Sequence, residues 1–241
     1  GWGRLADPER IVEEGIKLLR KKESLKGKTV LVTAGPTREF LDPVRFLTNR
    51  SSGKMGYELA AEALRRGAEV VLVSGPTHIF PPRGAKFSRI QTAQEMDKEV
   101  KKNFARADII IMAAAVSDFR FAESGAQKIK KERLKEEIRI APTQDVAKEL
   151  GKKKGGKVLV GFAAETEHIL DNALKKIKEK NFDFIVANDV SREDIGFESD
   201  DNQVSIVFPG GKAIQTEKKS KLEISQIILD EIEGILGKKG R

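Results

Sequence analysis

Short apolar runs alternate with longer amphipathic stretches along most of the 241-residue chain. The apolar runs predict strands within 28–35, 69–77, 86–92, 107–119, 157–165 and 182–189. Several intervening stretches repeat apolar residues at helical spacing and predict helices at 55–66, 93–104 and 166–181. This alternation is typical of an α/β fold with a doubly wound, mostly parallel, Rossmann-like sheet.

Segments outside this alternation complete the predicted architecture. Residues 202–217 contain a Pro-Gly-Gly turn between two strand-like runs, which predicts a C-terminal β-hairpin. Residues 220–236 predict a closing amphipathic helix, and 5–27 predict a helix that precedes the sheet. Residues 36–50 are predicted to form a long polar loop, and the charged segment 127–145 an extended arm.

Five of the predicted strands end in small or polar residues. These ends are 34–38, 74–77, 113–119, 161–166 and 187–189. In open α/β sheets, ligands bind beyond the carboxyl ends of the strands, and small residues there allow a ligand to approach the backbone. For any single Gly or Ala, tight packing of a helix on the sheet is the alternative explanation. The five ends together predict a nucleotide-sized cleft.

Charge and aromatic content narrow the class of ligand. The chain has 45 Lys and Arg against 37 Asp and Glu, which gives a net charge of +8. Such a balance fits either nucleic acid or small polyanions. Aromatic residues make up only 6% of the chain and are not interleaved with basic residues, which favours small polyanions over nucleic acid.

Cysteine and histidine usage limits the metal chemistry. The chain has no Cys and only two His, which excludes disulfides, a thiol nucleophile and Cys- or multi-His-ligated metals. Any metal is expected to be a hard cation held by oxygens and ligand phosphates. The longest strictly apolar run, 109–116, is far shorter than the roughly 20 residues of a membrane helix, and the N-terminus has no signal-peptide pattern. We therefore expect a cytoplasmic protein without a membrane partner.

The segment 48–56, with the sequence TNRSSGKMG, leads directly into the predicted helix at 55–66. The first N–H groups of a helix have no intrahelical partner, so small residues around them make an anion site. Ser51, Ser52, Gly53 and Lys54 are therefore candidate phosphate-binding residues, although one serine can instead cap the helix. Asn49 is not needed for a cap, and its side chain can both donate and accept hydrogen bonds.

Two familiar phosphate-binding patterns are absent from the sequence. A Walker loop requires Ser or Thr after Gly-Lys, whereas Gly53-Lys54 is followed by Met55. The dinucleotide fingerprint Gly-x-Gly-x-x-Gly does not follow the first strand, where Gly35 precedes PTREF. A nicotinamide-dependent dehydrogenase is accordingly weakly supported.

Other candidate residues each have a functional and a structural interpretation. Asp118 can bind a ribose or a divalent cation, or cap the turn that follows its strand. Lys128 heads a Lys-rich run that can simply be a solvated face. Lys176 and Lys180 share one helical face, where they can bind an anion or interact with the negative end of the helix. Arg45 is a further cation near the predicted cleft.

Several long motifs resemble those of the phosphopantothenoylcysteine synthetases, also called phosphopantothenate–cysteine ligases, of coenzyme A biosynthesis. The motifs are GPTREFLDPVRFLTNRSSGKMG, AAAVSDFR followed by KIKK, GFAAETE, KEKNFDFIVAND and GFESDDNQVSIV. The resemblance extends over about residues 28–236, and one departure is Ser117, where the family usually has Ala.

The resemblance implies a two-step, CTP-dependent ligation with Mg²⁺. The carboxylate of 4′-phosphopantothenate attacks the α-phosphate of CTP, pyrophosphate leaves, and the amine of L-cysteine then displaces CMP from the acyl-cytidylate. The family's catalytic positions correspond here to Asn49, tied to turnover of the acyl-cytidylate, and Lys128, tied to its formation. The implied nucleotide-binding residues are Ser51, Ser52, Gly53, Lys54, Ala114, Asp118, Phe162, Lys176 and Lys180. The implied substrate contacts are Asn49, Arg45 and Ala115, with Asp118 near a phosphate-bound Mg²⁺.

The same resemblance implies an organisation for the chain. Residues 1–27 are expected to be a linker and helix from a preceding flavin-dependent decarboxylase domain, and 28–237 the ligase domain. A homodimer is expected, with 128–140 as the candidate subunit contact. An ATP-using ligase and a non-catalytic nucleotide-binding module are the alternatives.

Overall fold

The computed structural model describes residues 23–131, 137–189 and 199–239, together with the single positions Pro8 and Gly15. The helix predicted at 5–27 therefore lies mostly outside the described residues. The described strands are β1 (Thr29–Ala34), β2 (Arg38–Phe40), β3 (Phe46–Thr48), β4 (Glu69–Ser74), β5 (Lys86–Arg89), β6 (Ile109–Met112), β7 (Phe119–Phe121), β8 (Ile140–Pro142), β9 (Val158–Glu165), β10 (Phe184–Asp189), β11 (Asp201–Asn202), β12 (Val204–Val207), β13 (Ala213–Gln215) and β14 (Lys219–Ser220). The described helices are α1 (Lys54–Arg65), α2 (Ala93–Phe104), α3 (Val146–Lys152), α4 (Ile169–Lys180) and α5 (Lys221–Lys239).

Eight of these strands form one sheet in the order β13-β12-β10-β9-β6-β1-β4-β5. The strands from β10 to β5 in this order are parallel, whereas β12 and β13 form an antiparallel hairpin at one edge. The six parallel strands have the Rossmann order, which reverses direction between β1 and β6. The predicted fold class, C-terminal hairpin and closing helix are confirmed.

Three local predictions were wrong or incomplete. The predicted polar loop at 36–50 contains a small hairpin, in which β2 pairs with β3 and the rings of Phe40 and Phe46 lie 5.7 Å apart. The predicted arm at 127–145 ends in β8, which pairs with β7 in a second small hairpin. Helix α3 was not predicted. These elements have three to seven residues, too few to show a hydrophobic period in the sequence.

The core has one layer on each face of the sheet. Residues of β1 alternate between the layers: Val30 and Val32 pack on the side of α1 and α5, and Leu31 on the side of α2, α3 and α4. This arrangement covers both faces of the parallel strands, as a parallel sheet requires. Within the described ranges, no helix combines the length and apolar character needed to cross a membrane.

A buried arginine fixes α1 against α5. The guanidinium of Arg66, at the end of α1, is 2% exposed and forms ion pairs with Glu62, Asp230 and Glu233 at 2.7–2.8 Å. A buried charge is tolerated only when it is paired and hydrogen-bonded in this way. The network sets the position of α1, whose opposite end faces the cleft described next.

Candidate functional site

A cleft of about 620 Å³ lies at the carboxyl ends of the strands, where β1 and β6 diverge. The loops that follow these two strands are joined by hydrogen bonds: Ala115 N–H donates to the Gly35 carbonyl (2.9 Å), and Thr37 N–H donates to the Ala115 carbonyl (3.2 Å). This is the switch point at which Rossmann-like sheets bind ligands. Most of the predicted site residues line the cleft, namely Asn49, Ser51, Ser52, Gly53, Lys54, Ala114, Ala115, Asp118, Phe162, Lys176 and Lys180.

Helix α1 begins at the cleft without a side-chain cap. Its N-cap residue is Gly53, and no cap hydrogen bond from a side chain is formed there. Ser51 Oγ accepts from Gly53 N–H (3.3 Å) in the loop, and Ser52 Oγ accepts from the N–H of Lys54, the first residue of α1 (3.5 Å). The N–H groups of Met55 and Gly56 come before the first intrahelical bond, which Tyr57 N–H makes to the Gly53 carbonyl (3.2 Å). Such groups make this end of α1 suitable for an anion.

Three glycines bring the backbone of this loop close to β1. Gly53 has a φ of +80°, and a Cβ there would lie 2.7 Å from Thr77 Cγ2 and 3.3 Å from the Cα of Gly35. A Cβ at Gly56 would lie 2.6 Å from the Cβ of Ala34. The dinucleotide fingerprint uses its three glycines for a tight turn, for the approach of the backbone to a phosphate and for a helix–strand contact, and the positions of Gly35, Gly53 and Gly56 correspond to these three. The β2–β3 hairpin separates the first from the other two, so the sequence pattern is absent although the arrangement is present.

Asn49 lies across the mouth of the cleft from β6. Its Nδ2 donates to the carbonyls of Ala115 (3.3 Å) and Val116 (3.1 Å). The side chain is exposed to solvent at the start of the loop that follows β3. An amide in this position can donate to a ligand oxygen in exchange for a backbone carbonyl.

Lysines from three helices surround the cleft, and the two on α4 each pair with a carboxylate. Lys176 Nζ lies 2.5 Å from Glu165 Oε1, and Lys180 Nζ lies 3.0 Å from Asp145 Oδ2. The structural interpretation, in which these lysines interact only with the negative C-terminal end of α4, therefore does not account for these ion pairs. A polyanionic ligand can take the place of the carboxylates as the partner of these ammonium groups.

Lys221 is a cleft residue that the sequence did not reveal. It is 5% exposed at the start of α5, and its ammonium donates to the Ser199 carbonyl. Burial lowers the pKa of this ammonium, and the charge of Lys54 lowers it further. Lys54 pairs with Asp200 (Nζ to Oδ1, 2.6 Å), which lowers the pKa of the Asp200 carboxyl. A buried Lys at the first position of a helix has no periodic signature, so only the three-dimensional placement identifies it.

Comparison with known proteins identifies the family. Residues 25–236 match the model of the DNA/pantothenate metabolism flavoprotein C-terminal domain. The chain belongs to this family. It is 45% identical over 243 residues to the coenzyme A biosynthesis bifunctional protein CoaBC of Bacillus subtilis, covering 100% of this chain and 60% of the relative. It is 40% identical over 237 residues to CoaBC of Escherichia coli K12, covering 96% of this chain and 58% of the relative.

A solved structure of the family supports the same fold. The C-terminal domain of a CoaBC protein is 40% identical, with a TM-score of 0.78 over 90% of this chain and 100% of that domain. The chain spans about three fifths of the length of the two curated CoaBC relatives.

Two predicted site residues of this family member lie outside the lining of the cleft. Arg45 is engaged with buried Asp42, since its Nη2 lies 2.6 Å from Asp42 Oδ2, and it also donates to the Ile129 carbonyl (2.8 Å). Lys128 is exposed in the segment between β7 and β8. The roles assigned to both residues remain predictions.

Asp118 is the predicted contact to a cation. Within the described ranges its exposed carboxylate has no hydrogen-bond partner, and Thr143 N–H donates to its backbone carbonyl (3.0 Å) instead. The turn is thus closed by the backbone and not by the Asp118 side chain. Across those ranges, no group of three or more His, Asp or Glu side chains is placed to hold a metal. Because Mg²⁺ often binds through one or two carboxylates and substrate phosphates, the donors fit an ion that arrives with a nucleotide.

Proposed function

We propose that the chain catalyses the CTP-dependent ligation of 4′-phosphopantothenate to L-cysteine in coenzyme A biosynthesis. The observation that carries the proposal is the uncapped start of α1 at the switch point, with Lys54, Lys176, Lys180 and Lys221 around it. This arrangement suits a triphosphate and a second phosphorylated substrate. The names of the CoaBC relatives place those proteins in the same pathway.

In the first step, a carboxylate oxygen of phosphopantothenate attacks the α-phosphorus of CTP. The bond from this phosphorus to the bridging oxygen of the β-phosphate breaks, and pyrophosphate leaves with its electron pair. The N–H groups of α1 and the lysines hold the phosphates in line and balance the negative charge. Asp118 would hold Mg²⁺ together with the phosphates, and the ion would supply further charge neutralisation. The Lys128 side chain must move into the cleft to contribute to this step.

In the second step, the amine of cysteine attacks the acyl carbon of the acyl-cytidylate. The bond from the acyl carbon to the phosphate oxygen breaks, CMP leaves, and the nitrogen loses a proton as the amide forms. A negative charge develops on the acyl oxygen during the attack. Asn49 is placed at the mouth of the cleft to donate a hydrogen bond to it.

One nucleotide panel tests the proposed function. CTP, ATP, GTP and UTP are each supplied with phosphopantothenate, cysteine and Mg²⁺, and pyrophosphate and amide are both measured. CTP alone is expected to give both products in equal amounts. Products with ATP would indicate the ATP-using ligase instead. CTP binding in calorimetry without pyrophosphate or amide would indicate a non-catalytic module and overturn the proposal.

A homodimer is the proposed assembly, and an apolar surface on the two small hairpins is the proposed contact. This hairpin patch consists of Val44, Phe46, Phe119, Ile138 and Ile140, which are 40–58% exposed. Strands β2 and β7 contact each other, so the two hairpins that carry the patch are neighbours. It includes the end of the predicted contact segment at 128–140. Contiguous exposed apolar surface of this kind marks protein interfaces.

We expect the double variant Val44→Glu, Ile140→Glu to be a monomer at micromolar concentration in light scattering, whereas the wild type is a dimer. Two buried, unpaired carboxylates would make such an interface unfavourable. Phe80→Glu is the matched control, because Phe80 is 91% exposed and lies outside the patch. A dimeric double variant would exclude this surface, and a monomeric wild type would exclude the dimer.

A further inference from the structure

Asp42 is a buried carboxylate outside the cleft, in the turn between β2 and β3. Its Oδ1 accepts from the backbone N–H groups of Val44 (2.9 Å) and Arg45 (2.8 Å). Its Oδ2 accepts from the Arg45 guanidinium (Nε 3.1 Å, Nη2 2.6 Å) and from the backbone N–H of Ile129 (3.1 Å). The Arg45 guanidinium holds the pKa of the Asp42 carboxyl well below its usual range, so the group is ionised at neutral pH.

The Asp42–Arg45 pair binds both backbone groups of one distant residue. Asp42 accepts from Ile129 N–H, and Arg45 Nη2 donates to the Ile129 carbonyl at 2.8 Å. The residues are 87 and 84 positions apart in sequence. We call Asp42, Arg45 and Ile129 the clamp. The clamp joins two segments, since Ile129 directly follows Lys128, and the hairpin that carries Arg45 leads into Asn49.

We propose that Asp42 is a positioning residue that acts through the clamp to place Lys128 for the first step of the ligation. This inference rests on the proposed function. The bonds from Val44 and Arg45 to the Asp42 carboxylate lie within the turn, whereas the two bonds to Ile129 restrain the segment that carries Lys128. Without them, an exposed lysine would extend from a segment whose backbone is less restrained. Misplacement of a reacting group by about 1 Å can cost on the order of 10²-fold in rate.

The test variant is Asp42→Asn, which keeps the side-chain volume but removes the charge and one acceptor. We expect CTP-dependent pyrophosphate release to fall by about 10- to 100-fold, with CTP affinity changed by less than about twofold. Asp183→Asn is the matched control. Asp183 is also a largely buried carboxylate, paired with Lys154 and Lys239, but it precedes β10, at the amino ends of the parallel strands and away from the cleft. The Asp183→Asn variant is expected to have a lower free energy of unfolding, with a rate of pyrophosphate release within about twofold of wild type.

A double-mutant cycle with Lys128→Gln separates positioning from a general structural effect. If Asp42 acts through Lys128, the double variant should release pyrophosphate at a rate within about twofold of that of Lys128→Gln alone. If the fold-decrease in the double variant equals the product of the fold-decreases in the two single variants, Asp42 acts independently of Lys128, and the inference is overturned. A wild-type rate in Asp42→Asn alone would overturn it as well.

A second pair of variants covers the case in which Asp42→Asn does not fold. Ile129→Pro removes the N–H that Asp42 binds, and Ile129→Ala keeps that N–H while shortening the side chain. We expect only the proline variant to lose pyrophosphate release, and equal rates in the two would refute the clamp. A wild-type chain that releases no pyrophosphate from CTP would instead overturn the proposed function, and this inference with it.

Discussion

Asn49→Ala is expected to slow amide formation by about 10²- to 10³-fold, the usual effect of removing one donor to a developing oxyanion. The acyl-cytidylate should still form, because the proposed function assigns phosphate binding to α1 and the lysines and not to Asn49. One equivalent of pyrophosphate per active site should therefore appear in a rapid burst, followed by slow amide release. Quenched-flow measurement of both products after mixing with CTP, phosphopantothenate and cysteine checks this result.

The control for Asn49→Ala is Asn103→Ala. Asn103 is a largely buried asparagine of α2 whose Nδ2 donates to the Glu99 carbonyl (2.7 Å), and it does not line the cleft. Removing this side-chain amide should lower the free energy of unfolding and leave the ratio of pyrophosphate to amide at one. Equal slowing of both steps in Asn49→Ala would contradict the assigned role, since it would place Asn49 in nucleotide activation.

The main sheet could be predicted from the sequence because its strands are buried on both faces. Runs such as TVLVTA in β1 and EVVLVS in β4 contain three or four consecutive apolar residues, and helices α1 and α2, which connect strands of the sheet, are amphipathic over 12 residues. The two small hairpins lack this signal, because strands of three residues are shorter than two periods of alternation. Their effect on the site is large, since β2 and β3 separate Gly35 from Gly53.

The candidate site could be predicted in part. Residues on the loop before α1 and on α4 were found because helix starts and shared helical faces follow from local sequence. Lys221 and the contacts of Asp42 with Ile129 depend on segments that meet only after folding. Charge counting also does not separate the roles of cations: Lys54 lies in the cleft, whereas Arg45 is held by Asp42.

Gly56→Ala should destabilise the fold and weaken CTP binding, although alanine is the better helix former. The helix propensity of Ala would contribute at most about 1 kcal/mol. Against it, the added Cβ would lie 2.6 Å from Ala34 Cβ and 3.1 Å from both the Ala34 Cα and the Thr33 carbonyl oxygen. Overpacking of this kind typically costs about 1–3 kcal/mol. Because α1 must move away from β1 to relieve it, we expect CTP affinity in calorimetry to fall by at least about tenfold.

Two further variants distinguish overpacking from a general effect of losing a glycine. Gly234→Ala, in the interior of α5, places its Cβ in open space, so it should raise the free energy of unfolding by about 0.5–1 kcal/mol. Ala34→Gly combined with Gly56→Ala removes the shortest contact and should recover part of both the stability and the CTP affinity. Urea unfolding of all four proteins gives the comparison. A stabilised Gly56→Ala variant with wild-type CTP affinity would mean that α1 does not need its close contact with β1 to hold a nucleotide.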